Sequence, residues 1–271
     1  MKFLTVLIII FFYRNWIGDN PVRDALPFDR WADWFRENLA AASVRFILCV
    51  GIPVVIVGLL SVELWYWILG LPWLILAIAV MAFSIDIVDA DALFDEHAQW
   101  LQQLPEDASL DEVRERQSAF KLAAVYEVFQ SLYPALFWFL VLGPAGALLY
   151  TLSRAYLEQM DESDAEIDLV DRVVYWLEWP AAKINGFLFA LVGHFGDCFE
   201  EWFGSLFDTE EPVGENLVIA ACAAAAHEET GDSLPEFVRT SQEHNNLLKD
   251  LLGRTSYGWL GLAALVTIFG F

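Results

Sequence analysis

The sequence has 271 residues, a formal net charge of −23 and 57% hydrophobic residues. Soluble domains contain about 45–50% apolar residues, so the apolar excess argues against an ordinary soluble domain. The 21 Phe, 12 Trp and 8 Tyr exclude disorder as the main state. The acidic balance argues against a nucleic-acid partner, because binding to a phosphate backbone requires a basic surface. Together these features predict an integral membrane protein with acidic segments outside the bilayer.

The first two apolar segments predict a membrane helix followed by a helical hairpin. Residues 3–17 are interpreted as an uncleaved helix, since no small-residue cleavage site follows them. The apolar run at 46–84 would form a single helix about 58 Å long, nearly twice the thickness of the roughly 30 Å hydrocarbon core. It must therefore fold back, and the turn at 63–67 predicts helices at 46–62 and 68–84.

Three later apolar segments complete the set of candidate spans. Residues 132–150 have the length of a span but contain Gly-Pro-Ala-Gly in the middle, which indicates either a kinked, closely packed helix or a functional break. We favour the packed helix, because small residues allow helices to approach closely in lipid. Residues 173–193 either span with buried polar groups or lie at the interface. Residues 257–271 are short for a span, so we predict about four to six membrane helices.

The polar segments at 85–130 and 194–255 are strongly acidic. Five Arg between residues 14 and 45, and no Lys or Arg in the 63–67 turn, predict that residues 14–45 and 85–130 are cytoplasmic and that the turn is periplasmic. Ser109 and Glu112 have the spacing of a capping box that opens a helix. Repeats and alternating strand patterns are absent from the sequence. We therefore predict an all-α, polytopic membrane protein with a single domain over 1–271 and acidic helical insertions in the cytoplasm.

The acidic residues that follow the predicted hairpin form the first candidate site. If a helix continues from the hairpin, Asp86, Asp89 and Glu96 share one face, with His97 beside them. Grouped carboxylates repel one another unless they are hydrated or bridged, so a divalent cation is a candidate ligand. A solvated acidic face is the simpler explanation in a protein of this charge. We therefore assign no metal site and no cofactor to these residues.

Other chemistry-bearing motifs give weaker signals. His194, Asp197 and Cys198 have a spacing that is compatible with a shared metal, but no fourth ligand accompanies them. Phosphate-binding loops, nucleotide-binding glycine motifs and nucleophile elbows are absent from the sequence. Glu178 and Lys183 are ionisable residues inside a candidate span, and the simplest interpretation is that they neutralise each other. We therefore assign no catalytic residue.

Two segments resemble those of a known membrane superfamily. Residues 133–150 resemble the "PLFWF…GGPxGAxxYR" segment shared by the AmpE proteins and the adenosylcobinamide-phosphate synthases, and residues 173–191 resemble their "hxWhPxRLxxhhxALhG" segment. The first helix, the hairpin and the short last span match the AmpE layout, so the resemblance covers nearly the whole chain. The motif residues are Gly143, Pro144, Gly146, Trp179 and Pro180.

The AmpE branch is favoured over the synthase branch. The synthases carry an "ESxxENxxDG" motif before the first segment, whereas here only Glu127 and Gln130 are polar at about those places. A synthase that handles phosphates also needs cations against them, and this chain is acidic. The AmpE resemblance implies an inner-membrane protein of Gram-negative bacteria. It links the chain, together with a cell-wall-fragment amidase, to induction of chromosomal β-lactamase and thus to cell-wall recycling and antibiotic resistance.

Two functional hypotheses follow. The first is a non-enzymatic signalling modulator whose acidic cytoplasmic helices bind a protein partner or a ligand. The second is a membrane enzyme that keeps synthase-like chemistry at a cation-loaded site. Besides the lipid bilayer and this protein partner, no other partner is predicted. The candidate ligand or partner site comprises Asp86, Asp89, Glu96, His97, Glu127 and Gln130, and the cation-loaded site of the second hypothesis would use Asp86, Asp89, Glu127 and Gln130.

Overall fold

The computed structural model describes residues 1–15, 20, 28–67, 70–105, 108–161, 164–209, 211–225 and 231–269. All regular structure in this described part is helical, which confirms the all-α prediction. The helices are, in chain order, α1 (Lys2–Asn15), α2 (Phe28–Asn38), α3 (Ala42–Trp65), α4 (Leu71–Ser84), α5 (Ala90–Gln102), α6 (Leu110–Leu142), α7 (Pro144–Glu158), α8 (Ile167–Val192), α9 (Phe195–Ser205), α10 (Val213–Ala225) and α11 (Leu234–Ile268).

The chain divides into two compact units. The second unit contains most of the two polar segments predicted from the sequence, and α6, α8 and α11 each contribute residues to both units. In the first unit, α7 packs against both α3 and α4, and it also contributes Tyr150 to a core cluster with Ala135 of α6 and Leu177 of α8. The core of the second unit includes Leu101, Val113 and Phe237. The first unit comprises Met1–Ile87, Ser131–Ala181 and Leu260–Phe271, and the second comprises Val88–Gln130 and Ala182–Trp259.

The predicted helical hairpin is confirmed by α3 and α4, although α3 continues to Trp65, into the predicted 63–67 turn, and α4 begins at Leu71 instead of residue 68. The 24 residues of α3 span about 36 Å, enough to cross a hydrocarbon core of roughly 30 Å. Only 11% of its most apolar window is buried, and Val55 and Leu59 are 60% and 65% exposed. Gly70 precedes α4 with a φ of 73°, a backbone conformation that favours glycine. The side chains of α3 thus form an apolar surface that requires apolar surroundings.

Two helices in the described part of the chain, α3 and α6, are long and apolar enough to cross a membrane. The shorter helices α4 and α10 are also apolar. The predicted N-terminal helix is confirmed by α1, although its predicted end at residue 17 lies outside the described residues.

A proline inside α3 fixes the amphipathic helix α2 in place. Pro53 has no backbone N–H, so it cannot donate to the carbonyl oxygen of Cys49 one turn earlier. The indole Nε1 of Trp31 on α2 donates to that oxygen over 2.9 Å. The Cys49 carbonyl oxygen, which has no amide donor at position 53, therefore accepts a hydrogen bond that attaches α2 to α3.

The structure corrects the prediction of one kinked helix over 132–150. Helix α6 ends at Leu142, and Gly143 follows with φ 72° and ψ −157°, a conformation that is essentially restricted to glycine. Pro144 then opens α7 in the first turn, where its missing N–H breaks no intrahelical bond. The Gly-Pro pair therefore separates two helices.

Helix boundaries in the polar segments also differ from the prediction. The helix of the hairpin does not continue to His97: α4 ends at Ser84, the backbone N–H of Asp86 donates to the Ser131 carbonyl over 2.8 Å, and α5 begins after Asp89. Conversely, α6 and α11 continue from polar into apolar sequence, where we predicted separate segments. A change of composition does not end a helix unless a residue also breaks the backbone pattern.

Candidate functional site

The direction of α7 is set by the close approach of Gly146 to the end of α6. A Cβ added at Gly146 would overlap the carbonyl oxygen of Trp138 and lie 2.7 Å from the Cβ of Leu142. Only a residue without a side chain fits there. Tyr150 and Arg154 follow Gly146 at intervals of four residues, so all three lie on one side of α7.

That side of α7 meets a buried carboxylate on α8. Glu178 is 1% exposed; the hydroxyl of Tyr150 donates to its Oε1 over 3.0 Å, and the guanidinium of Arg154 donates over 3.3 Å. One residue earlier, the carbonyl oxygen of Leu177 accepts the indole N–H of Trp138 over 2.7 Å. The two segments that carry the family resemblance therefore meet at this site.

The counter-ion of Glu178 is not the one that the sequence suggested. Lys183 donates to the carbonyl oxygen of Ser205 over 2.7 Å in the second unit, so the predicted neutralisation of Glu178 by Lys183 is wrong. Arg154 neutralises Glu178 instead. A buried carboxylate is stable only with such a cation and with hydrogen bonds to its remaining lone pairs. The arrangement holds a charge away from solvent and ties α7 to α8.

A second buried carboxylate lies just before α8. Glu166 is 4% exposed and forms an ion pair of 2.9 Å with Arg45, and it accepts a hydrogen bond of 3.0 Å from the hydroxyl of Tyr156. The guanidinium of Arg36 lies 5.2 Å from the ring centre of Tyr156. The sequence reasoning missed this site, because Arg45 and Glu166 are 121 residues apart and neither belongs to a motif.

The acidic residues predicted as a ligand site face solvent. Asp89, Glu96 and Glu127 are exposed and lie in the second unit, as does the half-buried Gln130, whereas Asp86 is exposed in the first unit. The carboxylate of Asp89 accepts from the backbone N–H of Ala92 over 2.9 Å and so caps α5. No group of three or more metal-ligating side chains occurs among the described residues, and the divalent cation stays an expectation from the sequence.

His97 points away from these acids into the second unit. It is 8% exposed, and its Nε2 lies 2.6 Å from Oε1 of Gln117, whose amide nitrogen donates to Asn245 over 2.8 Å. The imidazole stacks on the ring of Phe120 with a centroid distance of 3.7 Å. His97 thus belongs to a buried polar network that joins α5, α6 and α11. The sequence gives no indication of this network, because Gln117 and Asn245 are 128 residues apart and belong to no motif.

The weaker metal motif does not assemble. His194 and Asp197 are exposed, and Nδ1 of His194 lies 3.1 Å from Oδ2 of Asp197, whereas Cys198 is buried. Its Sγ–H donates to the carbonyl oxygen of Gly186 over 3.8 Å, and burial raises the pKa of Cys198 to about 11. A protonated thiol that points into the protein is a poor metal ligand.

Lys249 connects α11 to the acidic face of α5. Its ammonium lies 3.3 Å from a carboxylate oxygen of Asp91 and 3.4 Å from one of Asp95. Partial burial acts to lower the pKa of Lys249, but the two carboxylates outweigh it and the pKa is raised. Part of the predicted acidic surface is therefore neutralised within the protein.

The comparisons with known proteins agree with the motif segments. The family model described as "Regulatory signalling modulator protein AmpE" matches residues 1–270. No curated protein and no solved structure matches the chain. The family match includes both segments that meet at Glu178 as well as the hairpin and the polar helices. The chain therefore belongs to the AmpE family of regulatory signalling modulator proteins.

Proposed function

We propose that this protein is a multi-pass modulator of the bacterial inner membrane, with about four to six membrane helices, and that it acts without catalysis. Its signal would influence the induction of chromosomal β-lactamase through cell-wall recycling. The observation that carries the proposal is the family match over residues 1–270.

The exposed apolar surface of α3 supports the membrane part of the proposal. Family membership and the two apolar helices of span length indicate a membrane protein. Additional spans would come from α1, where Leu7 and Phe11 are exposed, and from α4, where Ile75 is 70% exposed. Large apolar side chains that face outward are stable in lipid, whereas contiguous apolar patches of this kind are rare on soluble monomers.

The exposed acids of the second unit support the partner part of the proposal. Glu96 and Glu127 are exposed on α5 and α6. Uncompensated carboxylates attract a partner with a basic surface, and such charges mainly affect the rate of association and specificity. We infer that these helices bind a cytoplasmic protein that passes the signal on.

Neutralising these two acids tests the proposal. In a strain that lacks the chromosomal copy, the double variant Glu96→Gln, Glu127→Gln should restore severalfold less β-lactamase induction than the wild-type protein does. The matched control is Glu200→Gln, Glu201→Gln, which removes the same charge from exposed positions on α9 and should restore induction fully.

Two results would contradict the proposal. If the wild-type protein and the first double variant restored the same induction at equal expression, Glu96 and Glu127 would not contribute to partner binding. Binding of Mg-ATP at micromolar concentration by the purified protein, lost in Glu127→Ala, would contradict the absence of catalysis and favour a synthase-like enzyme.

The proposed topology predicts that the hairpin turn faces the periplasm. Glu63 is exposed beside Tyr66 and Trp67, and aromatic side chains of this kind occupy the membrane interface. Glu63→Cys should react with a membrane-impermeant thiol reagent in intact spheroplasts. The unsubstituted protein gives the background of its three native cysteines, and labelling of Glu63→Cys only after lysis would reverse the orientation.

A further inference from the structure

An apolar groove lies between α2 and the helices α3, α4 and α7 of the first unit. Its volume is about 570 Å³, and its lining includes Phe28, Trp31, Ile56, Phe83 and Leu152. A second groove, along α2 and α3, shares Trp31 with the first. Cavities of roughly 300–1,000 Å³ are large enough for a ligand of moderate size.

The position of the groove favours a lipid chain as its occupant. Ile52 and Ile56 line the groove and are themselves exposed residues of α3, the helix whose apolar side chains face outward. This inference rests on the proposed membrane location: a groove that opens onto the apolar surface of α3 is then filled from the bilayer, because contact of its apolar lining with water is unfavourable. An acyl chain matches the apolar character of this lining.

A positive charge lies in the second groove, which adjoins the first at Trp31 and Ile52. Arg30 is exposed and lines the second groove, next to Trp31 and Trp34. Indole side chains with one polar end favour the headgroup level of a membrane. The net charge of the chain is −23, so a cation at this position selects an anionic headgroup that the rest of the protein would repel.

We propose that the two grooves together bind one anionic phospholipid, with an acyl chain in the first groove against Ile56 and Phe83 and the phosphate in the second groove at Arg30. The hydrogen bond of 2.9 Å from Trp31 to the Cys49 carbonyl keeps α2 at the distance from α3 that the groove requires. The site is built by the amphipathic helix and does not depend on the acidic helices of the second unit.

Lipid titration of the purified protein tests this site. Native mass spectrometry in detergent measures binding of phosphatidylglycerol and of phosphatidylcholine with the same acyl chains. We expect the wild-type protein to bind phosphatidylglycerol more tightly. Arg30→Gln should weaken phosphatidylglycerol binding by about tenfold, the effect of one charged hydrogen bond, and leave phosphatidylcholine unchanged. Arg239→Gln, an exposed arginine on α11, is the matched control and should change neither affinity.

A second pair of variants tests the acyl chain. Ala79 is exposed in the groove, so Ala79→Phe fills the space without overpacking a core and should weaken both lipids. Leu59→Phe places the same ring on the exposed face of α3 outside the groove lining and should leave both affinities unchanged.

Several results would overturn the site. Equal affinity of the wild-type protein for both lipids would show that Arg30 does not bind the phosphate. Equal effects of Arg30→Gln and Arg239→Gln would show the same. Unchanged lipid binding in Ala79→Phe would show that no acyl chain occupies the groove. Binding of glycerol phosphate as tight as that of phosphatidylglycerol would show that the acyl chain adds no affinity. A doubled mass that disappears in Ala79→Phe would show that a second copy of the chain occupies the groove instead.

Discussion

Replacing Arg154 with alanine should destabilise the folded protein by about 3–5 kcal/mol, the cost of removing one partner of a buried ion pair. Glu178 is 1% exposed, so without the guanidinium 3.3 Å away its charge would be left in a site that water does not reach. Chemical denaturation in a mild detergent measures the change in the free energy of unfolding.

Two further variants separate this effect from a general loss of packing. Adding Glu178→Gln to Arg154→Ala removes the buried charge as well and should recover most of the lost stability. Arg239 and Glu243 form an exposed ion pair, with side chains 63% and 48% exposed, so Arg239→Ala should cost less than about 1 kcal/mol. Equal losses in Arg154→Ala and Arg239→Ala would show that the pair at Glu178 does not stabilise the fold.

Gly146→Leu should destabilise the protein by more than 1 kcal/mol, on the order of the 1–3 kcal/mol that overpacking usually costs. Even the Cβ atom would overlap the backbone carbonyl of Trp138, and backbone atoms cannot move aside as a flexible side chain can. Expression, thermal stability in detergent and cellular function should therefore fall together. The melting temperature of the purified variant measures the effect.

The control for this prediction is a glycine in open surroundings. A Cβ added at Gly51 meets nothing within 4 Å, so Gly51→Ala should keep or slightly raise stability, because alanine favours a helix more than glycine does. An unchanged melting temperature for Gly146→Leu would contradict close packing. If that variant also lost its cellular role, the Gly-Pro segment would be a functional break instead.

The features that can be predicted from this sequence are those that depend on residues close together along the chain. The hairpin follows from an apolar run at 46–84 that is too long for one span. The break near Pro144 was also visible, but we interpreted it as a kink. The φ of 72° at Gly143 and a proline that opens the next helix explain why it separates two helices.

The contacts that build the candidate site could not be predicted in this way. Arg154 and Tyr150 are four residues apart on one helix, which periodicity shows, but their shared partner Glu178 lies on another helix. The shared helix face expected for Asp86, Asp89 and Glu96 is wrong for a local reason: Asp89 caps a new helix, so its spacing to Asp86 and Glu96 does not place the carboxylates on one continuous face. Helix periodicity transfers only within an unbroken helix.

The proposed role in β-lactamase induction is tested most directly by the β-lactamase activity that a β-lactam induces in cells with and without this protein. We expect deletion of the chromosomal copy to change the induced activity severalfold, and we expect the wild-type protein expressed from a plasmid to restore it. Identical induced activity in the deletion strain and its parent, measured across a range of inducer concentrations, would contradict a role in this signal.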